Sequence, residues 1–378
     1  MKLLFASDSF KGSLTSEKTV ELLSKAAREV FSECECSGVP VADGGEGTVE
    51  AVIAAEHGEL VTLTVHGPLM EETESFYGIF DGDKAVIEMA AASGLPMVPE
   101  ELRNPLNTTT FGTGELILDA LKRGYRDISI AIGGSATNDG GMGCARALGV
   151  KFLDQDGNEL EGFGRDLAKV AAIDISCLDK RVKDSKITVM CDVTNPLCGK
   201  DGATRTFGKQ KGATPAIQEE LEKGMCIYRD VIRETFGMDC DEIPGTGAAG
   251  GLGAALMVFL GGELKSGIET VLDLIRFDER LEGVDLVVTG EGRTDWQSCF
   301  GKVMQGVGMR AKAKGVPALG LSGSLGKNAM DICGCGISSL MTTVNAPMPL
   351  SEALERAEEL YYEGALRMFR FVRTGMEI

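Results

Sequence analysis

Short apolar runs alternate with amphipathic stretches along most of the chain, a rhythm that predicts strands alternating with helices and mostly parallel sheets covered by helices. Residues 3–7 read as a buried strand. From 16 to 31 a helical pattern follows a Ser/Thr start and places Val20, Leu22, Leu23, Ala26, Ala27 and Val30 on one face. Residues 60–65, 75–80 and 85–89 read as strands, the last two joined by Asp81-Gly82-Asp83 as an antiparallel hairpin. A helix over 115–122 leads to a strand over 128–132, a short helix over 142–148 and a strand from 150 to 153 with Asp156-Gly157 as its turn. A strand over 187–190 and an apolar helix over 250–260, buried on several sides, come next. From 286 the simple strand–helix rhythm returns, with strands at 286–289, 318–321 and 338–342, a helix over 303–314 and a final helix from 351 to about 371. The two ends are alike in style. Residues 1–60 and 280–378 are therefore expected to form one discontinuous, Rossmann-like α/β domain, with 61–279 as an inserted second α/β domain; the strand at 128–132 fits either sheet.

Composition narrows the function. A chain of 378 residues with 43% hydrophobic content can build two cores. The net charge of −19 argues against nucleic acid or an anionic membrane as partner, because both need clustered positive charge. An anionic substrate must then meet a local group of Lys, Arg or metal. The eleven cysteines are odd in number and scattered, with Cys34/Cys36 and Cys333/Cys335 separated by one residue rather than two, which reads as reduced thiols in the cytoplasm. The start has too few apolar residues before Asp8 for a signal peptide, and the longest apolar stretch, 248–260, is short of the ~20 residues that span a bilayer. With only His57 and His66, neither near a glycine-rich loop, a zinc site or a Ser-His-Asp triad is not expected.

Candidate chemistry sits in polar loops that follow predicted strands, where α/β proteins gather ligands. In residues 127–143, DISIAIGGSATNDGGMG, an apolar strand runs into a loop whose glycines, Gly133, Gly134, Gly140, Gly141 and Gly143, allow backbone N–H groups to face an anion. Ser135, Asn138 and Asp139 offer metal or hydroxyl contacts; the plainer reading is a tight strand-to-helix connection. The loop lacks the Gly-Lys-Ser/Thr ending of a P-loop and the downstream acid of a dinucleotide fold. Asp8, Lys11 and Ser13 precede a helix start, which attracts anions, although Thr15 or Ser16 also caps that helix. Asp43-Gly44-Gly45-Glu46 sets two carboxylates around a glycine pair. Asp192 follows a strand at a position suited to Mg²⁺ or a substrate hydroxyl, within an Asn-Pro turn. Glu291, Arg293, Asp295 and Gln297 follow another strand, with Lys302 and a small basic loop at 323–327 close behind; Arg293 suits a carboxylate or phosphate, or pairs with a neighbouring acid. Gly245 to Gly250 matches GxGxxG, but DCDEIP before it is no apolar strand, so its glycines are read as close packing or an anion contact.

Taken together, DSFKGSLTS, VADGGEGT, AVIEMAAASGL, NTTTFGTGE, IGGSATNDGGMG, CDVTNPLCG, GAAGGLGAAL and TGEGRTDWQS…GK resemble, in order and nearly end to end, the glycerate kinase family. Trp296 departs from the pattern, where a small residue is commoner. The resemblance implies two different α/β domains with mostly parallel sheets and the active site in the cleft between them. It implies transfer of the γ-phosphate of ATP to D-glycerate with Mg²⁺, most often at the 2-hydroxyl, in a cytoplasmic monomer or homodimer. A kinase giving 3-phosphoglycerate or acting on another hydroxy acid, and a nucleotide- or sugar-acid-binding protein without turnover, are the alternatives. In this reading Lys11 and Arg293 meet the substrate carboxylate or the transferring phosphate. Asp8 or Asp192 accepts the hydroxyl proton, Asp192 and Asp295 hold the metal, and Asp43, Glu46 and Asp139 are further metal or hydroxyl ligands.

Overall fold

The apolar residues Leu3, Leu4 and Phe5 make Lys2–Phe5 a buried strand, which lies between two parallel neighbours, Glu35–Gly38 and Leu286–Thr289. Ala318–Ser322 and Ile337–Thr342 extend this sheet beyond Leu286–Thr289, giving five parallel strands in the computed structural model, which describes residues 1–378. Continuous apolar runs suit strands covered on both faces. On one face Leu3, Phe5, Leu286 and Val288 pack with Leu22 and Leu23 of helix Ser16–Val30 and with Tyr361, Ala365 and Phe369 of helix Ala357–Met376. On the other, Leu4 and Val287 are also buried, and helix Val303–Ala313 packs on the three strands from Leu286 onward.

The winding reverses between Lys2–Phe5 and Leu286–Thr289. From the first strand the chain moves outward to Glu35–Gly38; on its return it builds toward the opposite edge. Open α/β sheets gather ligands outside the carboxyl ends of the strands at such a switch point. Ala6 N–H donates to Val288 O at 2.9 Å and Asp8 N–H to Gly290 O at 2.9 Å, so the two loops leave the sheet side by side.

A second sheet is mixed. Glu72–Phe80 pairs antiparallel with Glu59–His66 and Lys84–Glu88, and Asp127–Ala131, Lys186–Met190 and Glu263–Lys265 continue it in parallel. Asp81 and Gly82 take φ of 49° and 81° within the three-residue loop that joins Phe80 to its partner Lys84. The strand at Asp127–Ala131 lies in the middle of this sheet, and its Ile128 and Ile130 join Tyr77, Ile87, Val189, Tyr228 and Leu252 in the core.

Two units result: Met1–Asp43, Glu50–Glu56 and Gly267–Ile378 form one, Gly44–Val49 and His57–Ser266 the other. These bounds differ from the expected 60 and 280. Helix Gly267–Leu274 joins the first unit because Ile268 fills the space beside Gly306, and Glu269 and Asp273 accept from Arg310. Residues 44–49 join the second, where Val49 N–H donates to the buried Glu88 carboxylate at 2.8 Å. The expected final helix is two, Leu350–Glu355 and Ala357–Met376, broken at Arg356. No helix is long and apolar enough to cross a membrane.

Candidate active site

In the first unit, the carboxyl edge of the parallel sheet carries three carboxylates. Asp8 follows Lys2–Phe5, Asp43 follows Glu35–Gly38 and Glu291 follows Leu286–Thr289. Asp8 Oδ1 accepts from Ser9 N–H at 2.6 Å. Burial, and then the charges of Asp43 and Glu291, push the Asp8 carboxyl up to about 7 against the opposing pull of the Ser9 N–H and Lys11. Glu291 is 7% exposed, and burial raises its carboxyl too, opposed by Ser298, Lys302 and Thr294. Thr294 Oγ1 donates to Glu291 Oε1 at 3.0 Å, and Lys302 Nζ lies 3.9 Å from Oε2.

The basic loop at 323–327 braces this edge. Arg293–Thr294 and Ser324–Leu325 pair as a short parallel ladder, Gly323 N–H donates to Glu291 O at 3.1 Å, and Gly326 N–H to Thr294 O at 2.7 Å. Glycine is required at 326, where a Cβ would meet Asp295 Cβ at 2.8 Å. Asp295 caps the turn Trp296–Cys299, accepting from Gln297 N–H at 2.9 Å, and Arg293 Nε lies 3.6 Å from its other oxygen. The Arg293 side chain is 67% exposed, Lys11 and Gln297 are exposed, and Ser13 Oγ closes its own turn on Phe10 O at 2.9 Å. Trp296 stacks edge-on with Phe300 and both line an open cavity of about 500 Å³ with Lys327 and Asp331. The edge thus combines a near-neutral base, acids able to hold a hard cation, and cations able to meet a carboxylate or phosphate.

The second unit has its own grouping at the carboxyl ends of Lys84–Glu88 and Asp127–Ala131. Gly133 lies against Gly44 and Gly45, whose atoms would be 3.5–3.6 Å from a Cβ placed there. Gly133 and Gly134 are exposed and Ser135 lies just beneath. Asn138 and Asp139 do not share that exposure; both are fully buried, and this changes their reading from ligand contacts to scaffold. Asp139 Oδ2 accepts from Thr110 N–H and Oγ1, both at 2.7 Å, and from Gly143 N–H at 3.2 Å, while Oδ1 accepts from Gly141 N–H at 3.0 Å. Asn138 Nδ2 donates to Thr204 Oγ1 at 3.0 Å. The glycines of the GxGxxG match serve close packing: Gly140 N–H donates to Gly250 O, and a Cβ on Gly250 would lie 2.1 Å from Thr137 O. Asp192 is exposed and accepts from Ser266 Oγ at 3.1 Å; Glu46 is exposed.

One residue of this unit had no place in the sequence reading. Lys211 is 2% exposed, and its Nζ donates to Ser135 Oγ at 2.7 Å and Thr137 O at 2.6 Å. Its signal was slight: a lysine in a one-turn segment between Gly208 and Gly212, where lysine is normally solvated.

The glycerate kinase family model matches residues 3–373. The chain is 48% identical to the glycerate 2-kinase of Escherichia coli (strain K12), over 100% of this chain and 98% of that protein. It is 44% identical to a glycerate kinase of Bacillus subtilis (strain 168), over 97% and 96%. A crystal structure of a Salmonella typhimurium LT2 protein assigned as glycerate kinase 2 superposes with a TM-score of 0.91 at 43% identity, covering both chains fully. Sequence, fold and the acid-lined sheet edge agree on a phosphotransferase class, and the chain belongs to the glycerate kinase family.

Proposed function

We propose that the protein is an ATP-dependent kinase that transfers the γ-phosphoryl group to the 2-hydroxyl of D-glycerate, giving 2-phosphoglycerate and ADP. Family membership supports the reaction, and the name of the E. coli relative supports the position. The observation that carries the chemistry is Asp8, a carboxyl pushed up to about 7 at the switch point of a parallel sheet. A base poised near neutral pH takes a hydroxyl proton efficiently. In this reading Asp8 accepts the proton as the hydroxyl oxygen forms its bond to the γ-phosphorus and the bond to the bridging oxygen of ADP breaks. Positioning and charge do the rest, since phosphoryl transfer needs little covalent chemistry from the protein. Arg293, Lys302 and Lys11 meet carboxylate or phosphate oxygens.

The acids around Asp8 suit Mg²⁺, which takes oxygen ligands, and a cation would offset the charges of Asp43 and Glu291 that add to burial in raising Asp8. Asp43 and Glu291 would hold it; when bound, it supplies positive charge to the phosphate oxygens. Asp43 and Glu291 are preferred over Asp192 and Asp295, the metal pair expected from the sequence, because they are the acids whose charges act on Asp8. Asp192 and the turn from Gly133 to Ser135 are assigned to substrate or nucleotide binding. The use of ATP and the scattered free cysteines support a cytoplasmic location.

The test incubates the protein with ATP, Mg²⁺ and D-glycerate, then adds enolase with or without phosphoglycerate mutase. Phosphoenolpyruvate formed with enolase alone is the expected result. A signal that needs the mutase overturns the 2-position, and the absence of glycerate-dependent ADP overturns the kinase.

A further inference from the structure

Lys211 is difficult to explain as scaffold alone. A buried ammonium is costly unless it is paired, and this one has two neutral acceptors, the hydroxyl of Ser135 and the carbonyl of Thr137. The carboxylate that acts on it, Asp139, does so through space and is itself occupied by Thr110, Gly141 and Gly143. Burial accordingly pushes the Lys211 amine down to about 7. Both acceptors belong to the loop whose exposed start is Gly133-Gly134, at the carboxyl end of Asp127–Ala131. Because Ser135 Oγ accepts from Lys211, its own O–H remains available to donate toward a bound group.

We infer that Lys211 is a positioning residue: acting through Ser135 and Thr137, it fixes the turn from Gly133 to Ser135 and supplies the positive charge for an anionic group of the substrates bound there. The anion is either the glycerate carboxylate or an ATP phosphate, and the inference rests on the kinase reading above. Binding the anion completes the ion pair that the free protein lacks. An uncharged residue of similar length would fill the same space without the burial cost, so the bound state accounts for a charged group at this position.

Lys211→Met tests this by keeping the length and removing the charge. Folding is checked by circular dichroism and thermal unfolding, and KM is measured separately for D-glycerate and ATP. The expected result is a KM raised about tenfold or more for one of the two, with a smaller change in kcat; the affected substrate identifies the anion. A folded variant with both KM values unchanged overturns the inference, as does a fall in kcat with neither KM moved. Should this variant fail to fold, Ser135→Ala removes the relay while keeping the lysine; a raised KM for one substrate supports the inference, and unchanged KM values overturn it. Wild-type activity is measured first, so that failure of the kinase reading is seen on its own. In that event calorimetric binding of D-glycerate and of inorganic tripolyphosphate to wild type and variant decides the anion site: weaker binding of either to the variant supports it, and equal binding overturns it.

Discussion

Replacing Asp8 by Asn removes a charge that the first unit holds unfavourably. Its carboxyl is raised from 3.8 to about 7, first by burial and then by Asp43, so the folded protein retains a proton that the unfolded chain releases. The contribution of Asp8 to stability is then most favourable below about pH 4, falls as pH rises toward 7, and levels off above that. A difference of about three pH units corresponds to roughly 4 kcal/mol. The amide of Asp8→Asn can still accept from Ser9 N–H but no longer ionises. In chelator-treated buffer the variant is expected to gain about 2–4 kcal/mol over wild type at pH 8 and to match it only near about pH 3, read from urea unfolding. Its kcat is expected to fall by about 10²–10⁴ in the coupled assay, the usual range for loss of a general base. Equal urea midpoints for the two proteins at pH 8 would refute the burial argument, and an unchanged kcat would refute the role of Asp8 as base.

Three further substitutions separate scaffold from site. Asp139→Ala leaves the Thr110, Gly141 and Gly143 donors unmatched inside the second unit and should cost about 3–5 kcal/mol in urea unfolding; a loss below about 1 kcal/mol would mean that the loop does not depend on this carboxylate. Gly250→Ala places a Cβ 2.1 Å from Thr137 O at a φ of 68° and should destabilise by roughly 3 kcal/mol, measured the same way, with wild-type stability counting against the packing. Arg293→Ala, at a side chain 67% exposed, should change stability by less than about 0.5 kcal/mol while raising KM for glycerate or ATP about tenfold; unchanged kinetics would remove Arg293 from the site.

The parts of the fold with strong periodicity were legible in the sequence. The runs LLF, DISIA and LVVT are apolar enough to mark buried parallel strands, and the positive φ demanded by Asp81-Gly82 marks its hairpin. Glu35–Gly38 was not legible, because an edge strand with mostly exposed polar side chains carries no alternation. Helix Pro215–Phe236 had a Thr-Pro start, with Thr214 accepting from Ile217 N–H at 3.3 Å, but its apolar face is diluted by charged residues. At the site, the acid-bearing loops could be listed from composition, and Asp8, Asp43 and Glu291 do gather at one sheet edge. Burial could not be read. Asp139 and Asn138 look like ligands in a string of small polar residues, yet the chain folds over them, while Lys211 looks like a surface lysine and lies beneath the same loop.

The position of the new phosphate bond tests the central claim most directly. Phosphorus NMR of the product formed from D-glycerate, ATP and Mg²⁺, recorded without proton decoupling, distinguishes attachment by its neighbours: an ester at C2 sees one proton and gives a doublet, and an ester at C3 sees two and gives a triplet. The account predicts a glycerate-dependent doublet growing in step with ADP. A triplet would contradict transfer to the 2-hydroxyl, and no new ester resonance would contradict the kinase itself.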